Sequence, residues 1–175
     1  MTEMSGDDVD WRHGRAPLYV FHGSDAAHEV GRAAFMKYFS ENALGGRRAF
    51  FGLKRMEDEV VELGLDLFQA PDGAVGNMTT GGSESIFMAV KACRDWARAQ
   101  TKITEPFNIV APYSAHAAFN KAADVMDLEV RRLPTGEGYR ADVAAMAAAM
   151  DDNTIMLVGS APCFPHGVID PIQSL

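Results

Sequence analysis

Residues 76–85 read Gly-Asn-Met-Thr-Thr-Gly-Gly-Ser-Glu-Ser, and an amphipathic run to Arg98 follows them. A glycine pair that opens a helix, with a hydroxyl directly after it, can hold a phosphate. The first backbone N–H groups of a helix have no intrahelical partner, and the helix dipole favours an anion beside them. The glycines let an anion approach the backbone, and Ser83 adds a hydroxyl donor. Taken alone, a glycine before a helix is more often a turn or a cap. The flanking sequence changes that weight.

Downstream, the pattern alternates between helix and strand. The glycine pair predicts a helix over 82–100. Phe107 to Ala111 reads as a short buried strand, ended by Pro112. Ser114 is placed to cap a helix running through Met126. Leu128 to Leu133 alternates as a strand does. Asp142 caps an alanine-rich helix to Met150, and Ile155 to Gly159 is a continuous apolar strand, as expected when both sheet faces are covered. Asp170-Pro171 reads as another helix start, with Asp170 as its N-cap. Strands alternating with helices predict an open α/β sheet, in which ligands bind beyond the carboxyl ends of the strands. Ser114–His116 and Gly159–Ala161 both fall just beyond such ends and are expected to converge.

Upstream, residues 26–40 suit an amphipathic helix. A second helix is expected over 53–69, where Leu53, Met56, Val60, Leu63 and Leu67 recur at steps of three and four. Residues 1–16 are polar, and 42–52 are irregular.

A chain of 175 residues can bury one sizeable core. Its 47% hydrophobic and 23% charged residues are those of an ordinary globular protein. The net charge of −8, from 16 basic and 24 acidic side chains, argues against a nucleic-acid or anionic-membrane partner. Cys93 and Cys163 cannot make a disulfide framework, and no Cys/His spacing for a metal is present. A reduced, cytoplasmic setting is expected. Met1 to Asp10 is too acidic for a signal peptide, and no apolar run approaches the ~20 residues a membrane anchor needs.

Two further segments carry a family resemblance. Residues 112–123 read Pro-Tyr-Ser-Ala-His-Ala-Ala-Phe-Asn-Lys-Ala-Ala, and 159–171 read Gly-Ser-Ala-Pro-Cys-Phe-Pro-His-Gly-Val-Ile-Asp-Pro. With 76–85, in this order and at these intervals, they resemble the pyridoxal-phosphate (PLP) dependent group II decarboxylase superfamily, above all its sphingosine-1-phosphate lyase branch. The resemblance runs from about Asn42 to Leu175; Arg94 to Arg98 and Asn153-Thr154 share it. It implies the N-terminal portion of a fold-type I (aspartate aminotransferase-like) large domain, with a helical N-terminal arm. Residues 1–52 would be the arm with a substrate and dimer loop, and 53–175 part of the PLP-binding domain.

Site residues follow by the same resemblance. Gly82 and Ser83 match the phosphate cradle of the pattern Thr-Ser-Gly-Gly-Thr-Glu-Ser. Thr80 and Ser83 exchange serine and threonine relative to it, which keeps both hydroxyls. His116 matches the histidine that stacks on the pyridine ring and can relay protons; an isolated histidine would more often cap a helix or pack in a core. Ser160 falls where the superfamily places a hydroxyl near the ring oxygen. His166 contacts cofactor or substrate, or else orders its loop. Asp170 is not expected to be the pyridine partner, because the family's aspartate lies on a later strand.

The chain departs from the family in two places. That aspartate and the cofactor-bearing lysine lie downstream of the matched segment, and none of Lys37, Lys54, Lys91, Lys102 and Lys121 has the lysine's sequence context. The chain therefore reads as part of a longer enzyme. The branch's substrate loop Asn-Pro-Leu-His is here Asn42-Ala43-Leu44-Gly45, so Asn42 is kept and Arg47 or Arg48 would replace the lost histidine as a phosphate ligand. The implied reaction is retro-aldol carbon–carbon cleavage of a phosphorylated amino alcohol by a homodimer with shared sites. The alternatives are an amino-acid decarboxylase and a non-catalytic fragment.

Overall fold

Among the described residues a 3-10 turn, Trp11–His13, and three α-helices precede the first strand: Asp25–Lys37 (α1), Phe51–Leu67 (α2) and Gly82–Ala99 (α3). Strand Asn108–Pro112 (β1), helix Ala118–Val125 (α4), strand Glu129–Leu133 (β2), helix Val143–Ala148 (α5) and strand Thr154–Leu157 (β3) follow. The computed structural model describes residues 7–16, 20–42, 48–100 and 105–175. It divides into two compact units, Met1–Met78 and Thr79–Leu175.

The second unit is built around β1, all of whose residues are buried. β2 and β3 flank it, both parallel to it, in the order β2-β1-β3. Parallel neighbours need crossovers, and α4 and α5 supply them. Side chains alternate across β1, so its two faces feed two cores. Ile109 and Ala111 pack with Val90 of α3 and with Ala122 and Ala123 of α4. Val110 packs on the other side with Ala141 and Met146. Burying each of Val90, Ile109 and Val110 stabilises the unit by about 2 kcal/mol. Alanines on α4 let the helix approach the sheet closely.

In the first unit, the Ser24 hydroxyl caps α1 by accepting from the Ala27 amide at 3.1 Å. Neither α1 nor α2 has a buried residue. Phe51, Val60, Leu63 and Leu67 of α2 are exposed. The apolar periodicity located this helix, but the described residues do not cover its face.

Several expectations are corrected. β1 begins at Asn108 rather than Phe107 and has Pro112 as its last residue. Ser114 caps nothing: α4 begins at Ala118, with Ala117 in the cap position. Leu128 and Val130 pack on one core as the alternation predicts, but burial along β2 does not alternate, because Arg131 and Arg132 are both partly buried on opposite faces. β3 is half-buried throughout, as an edge strand of the described sheet is, rather than covered on both faces. No α-helix starts at Asp170: Ile172–Ser174 is one turn of 3-10 helix with Pro171 in its cap position. Asp142 does cap α5, accepting from the Ala145 amide at 3.0 Å.

Candidate active site

The carboxyl edge of the sheet carries the candidate residues. Tyr113 to Ala117 leaves β1 there, and Val158 to Asp170 leaves β3 beside it. Val110 pairs with Leu157 and accepts from the Val158 amide at 3.0 Å, so the parallel strands β1 and β3 end side by side and both segments leave the same edge. The expected convergence of the two segments is thus built into the sheet. At the other end of α3, Arg98 Nε donates to Glu105 Oε1 at 2.7 Å, shortly before β1 begins. The first turn of α3 therefore points toward the carboxyl edge, and Ile86 and Phe87 pack on the core that holds Ala111 and Ala115.

That first turn is open. Gly81 sits at φ 158°, a conformation side-chain-bearing residues rarely adopt, and a Cβ on Gly81 or Gly82 would meet nothing within 4 Å. The helical ladder starts with the Ser85 amide donating to the Gly81 carbonyl at 3.1 Å. The amides of Gly82, Ser83 and Glu84 precede it and have no helical acceptor. The Glu84 carboxylate instead receives both the Thr80 amide and the Thr80 hydroxyl, each at 2.6 Å. Those bonds, the hydroxyl's first, hold the Glu84 pKa below the usual carboxylate value. Thr79 Oγ1 donates to the Gly81 carbonyl at 3.1 Å and shares a 2.7 Å hydrogen bond with Ser85 Oγ. The loop is thus fastened from both sides while the Ser83 hydroxyl stays exposed.

His116 lies exposed in the turn between β1 and α4. Its Nδ1 accepts from the Ala118 amide at 3.0 Å, so the neutral ring carries its proton on Nε2. Two residues earlier, the Ser114 hydroxyl is buried with no hydrogen-bond partner among the described residues. A buried donor of this kind is uncommon in a finished core.

Asp170 orders the Ser160 loop. Its Oδ2 accepts from the Ser160 amide and its Oδ1 from the Ala141 amide, both at 2.8 Å, and its own amide donates to the Ser160 carbonyl at 2.9 Å. The predicted N-cap role is replaced by this staple. His166 stacks on Tyr139, with ring centroids 4.5 Å apart and 19° between planes. No contact joins His166 to His116 among the described residues. Tyr139 holds a positive φ of 60° directly after Gly138, at 64°. Such backbone is unusual for a bulky residue, and it places the ring against His166.

Asn42 and Arg48 are exposed residues of the first unit, and Arg47 lies outside the described residues. Sequence reasoning missed Tyr139, Arg132 and the staple by Asp170. Gly138-Tyr139 was a turn signal, and two arginines side by side in one strand must face opposite ways. Cys163 is buried, and Cys93 is half-buried, which pushes its thiol pKa up.

Rat sphingosine-1-phosphate lyase 1 is 42% identical over 175 residues, which is 100% of this chain and 30% of that protein. The chain is homologous to a part of the sphingosine-1-phosphate lyases. The solved sphingosine-1-phosphate lyase of Burkholderia pseudomallei superposes on this lyase homologue with a TM-score of 0.78 at 36% identity, over 87% of this chain and 36% of that one. The homologue therefore has, in part, the α/β fold of fold-type I PLP enzymes. A probable L-tyrosine/L-aspartate decarboxylase of Methanothermobacter thermautotrophicus is 33% identical over 150 residues, 86% of this chain and 39% of that protein. Both groups of relatives are PLP-dependent enzymes. No family model matches the chain. The lyase homologue spans about a third of the length of these relatives. Among the described residues, no helix is long and apolar enough to cross a membrane.

Proposed function

We propose that the protein containing this chain is a PLP-dependent carbon–carbon lyase, cleaving a phosphorylated amino alcohol such as a sphingoid base 1-phosphate by a retro-aldol route. The observation that supports this reading most is that the His116 turn and the Ser160 loop leave the same edge of the sheet, toward which the open first turn of α3 points. The homology to the lyases supports it.

The residues present fit the cofactor. An open glycine turn with unpaired amides suits a phosphate, and the orphaned Ser114 hydroxyl lies in the turn that bears His116. Gly82 and Ser83 would hold the phosphate by backbone amides and the Ser83 hydroxyl. When bound, PLP supplies an electron sink for the charge left by bond cleavage. The flat His116 ring would limit tilt at the site, with Nε2–H as its available donor. The Ser160 hydroxyl would hold a ring oxygen. His116 and His166 are the imidazoles of this edge and the groups suited to moving protons there.

Asn42, Arg47 and Arg48 would bind the substrate phosphate, with residues 42–50 reaching the site of a second subunit in a homodimer. The free cysteines support a reducing, cytoplasmic setting. A second reading, amino-acid decarboxylation, is favoured by the similarity to the archaeal decarboxylase.

The test is product analysis with the complete protein and PLP. Long-chain aldehyde from a sphingoid base 1-phosphate is the expected product. Carbon dioxide from tyrosine or aspartate, with no aldehyde, would establish the second reading instead. Ser83→Ala is expected to weaken PLP binding about tenfold, as loss of one hydrogen bond to a charged group does.

A further inference from the structure

Arg132 leaves β2 half-buried and has no carboxylate partner among the described residues. Its guanidinium has five N–H donors, and all are used. Nη1 donates to the Pro112 carbonyl at 2.7 Å and to the Ala115 carbonyl at 2.9 Å. Nη2 donates to the His116 carbonyl at 3.1 Å and to Asn120 Oδ1, and Nε donates to Asn120 Oδ1 at 2.9 Å. Every acceptor is neutral, and together they span the turn from the end of β1 into α4. Burial without a compensating anion lowers the Arg132 pKa, yet a guanidinium remains charged in proteins.

The His116 carbonyl also accepts from the Phe119 amide at 3.2 Å, so the main chain of His116 is held from two directions. Its ring is held by the Ala118 amide. Nothing else in the described chain reaches three carbonyls of this turn. We infer that Arg132 is a positioning residue, which fixes the 112–120 turn and through it the aim of the His116 ring. The inference rests on the reading of His116 as a residue that faces the cofactor. A lysine can replace Arg132 only in part, because it has three donors on a flexible stem instead of five in a planar fork.

The test uses the complete enzyme and compares Arg132→Met, Arg132→Lys and His116→Ala. In the cofactor-free protein, amide hydrogen exchange over 113–120 should rise about tenfold in Arg132→Met, since several bonds from a charged donor are lost together. Exchange over α3 and over 160–170 should stay near wild type. In the loaded enzyme, the visible circular dichroism of the cofactor should fall at unchanged cofactor content, and kcat should fall more than KM rises. Arg132→Lys should lie between wild type and Arg132→Met. If Arg132→Met does not fold, Arg132→Lys carries the same comparison. Wild-type exchange over 113–120, or a rise spread evenly over the chain, would overturn the inference. Normal dichroism and kcat in His116→Ala would remove His116 from the cofactor site instead, while the exchange data would still decide what Arg132 holds.

Discussion

Arg131 and Arg132 are neighbours on β2, and the structure uses them in opposite ways. Arg131 pairs with Glu129 at 3.2 Å and with Asp151 at 2.7 Å, and donates to the Ala149 carbonyl at 2.9 Å. These carboxylates, Glu129 first, raise its pKa. Among the described residues Arg132 pairs with no carboxylate and fastens main chain instead. The same contrast separates the two ends of the sheet. At the amino edge, buried Asn108 donates to Asp151 at 2.7 Å and accepts from Thr154 Oγ1 at 2.7 Å, so the starts of β1 and β3 are tied through Asp151, which Arg131 of β2 also holds. Polar groups there satisfy one another. At the carboxyl edge, Arg132 and Asp170 each satisfy neutral backbone groups, and the Ser83 and Ser114 hydroxyls and His116 Nε2 stay available. A site needs that combination of a fixed frame and groups not already engaged.

The comparison can be broken most directly at Asp170. Asp170→Ala leaves the Ala141 and Ser160 amides without their acceptor, and urea unfolding should show a loss of about 3 kcal/mol. Asp170→Asn keeps one acceptor and should lose less. A wild-type midpoint for Asp170→Ala would mean that the carboxylate does not hold this edge. At the amino edge, Asn108→Ala should cost about 2 kcal/mol in the same measurement, because Thr154 and Asp151 lose their buried partner.

Gly81→Ala sharpens the account of the α3 turn. Space is open there, so only the backbone resists, and the thermal midpoint should fall by an amount equivalent to about 1 kcal/mol with helix content unchanged. The smallest effect lies in acid. The Asn108 amide, then Arg131, hold the Asp151 pKa down to about 2. A depressed carboxyl stabilises above its unfolded pKa of about 4 and loses that contribution as pH falls toward its folded value. Asp151→Asn should therefore flatten the decline of stability between about pH 4 and the folded pKa, read from unfolding midpoints against pH. An unaltered acid limb would leave the ion pairs of this edge without thermodynamic weight.

Much of the fold was legible. Apolar periodicity located α2 and α3, Asp142 announced α5, and apolar runs located β1 and β3 to within a few residues. These signals are local: a cap or a helical stripe is written within one or two turns of chain. His116 and Ser160 were placed beyond strand ends for the same reason. The apolar stripe of α2 was legible as a stripe, but periodicity does not name what covers it. Ser114 misled because its hydroxyl suits a cap while the turn that Arg132 fastens delays α4 to Ala118.

By itself the sequence determined the order of helices and strands, the cap at Asp142, the glycine turn at Gly81-Gly82 and the histidine beyond β1. Tertiary structure alone decided that Arg132 grips that histidine's turn, 12 to 20 residues away, and that Asp170 staples Ser160 rather than capping a helix. The physical reason is that both side chains bond to backbone carbonyls and amides. Every residue but proline carries both groups, so no residue pattern marks the ones a distant charge will reach.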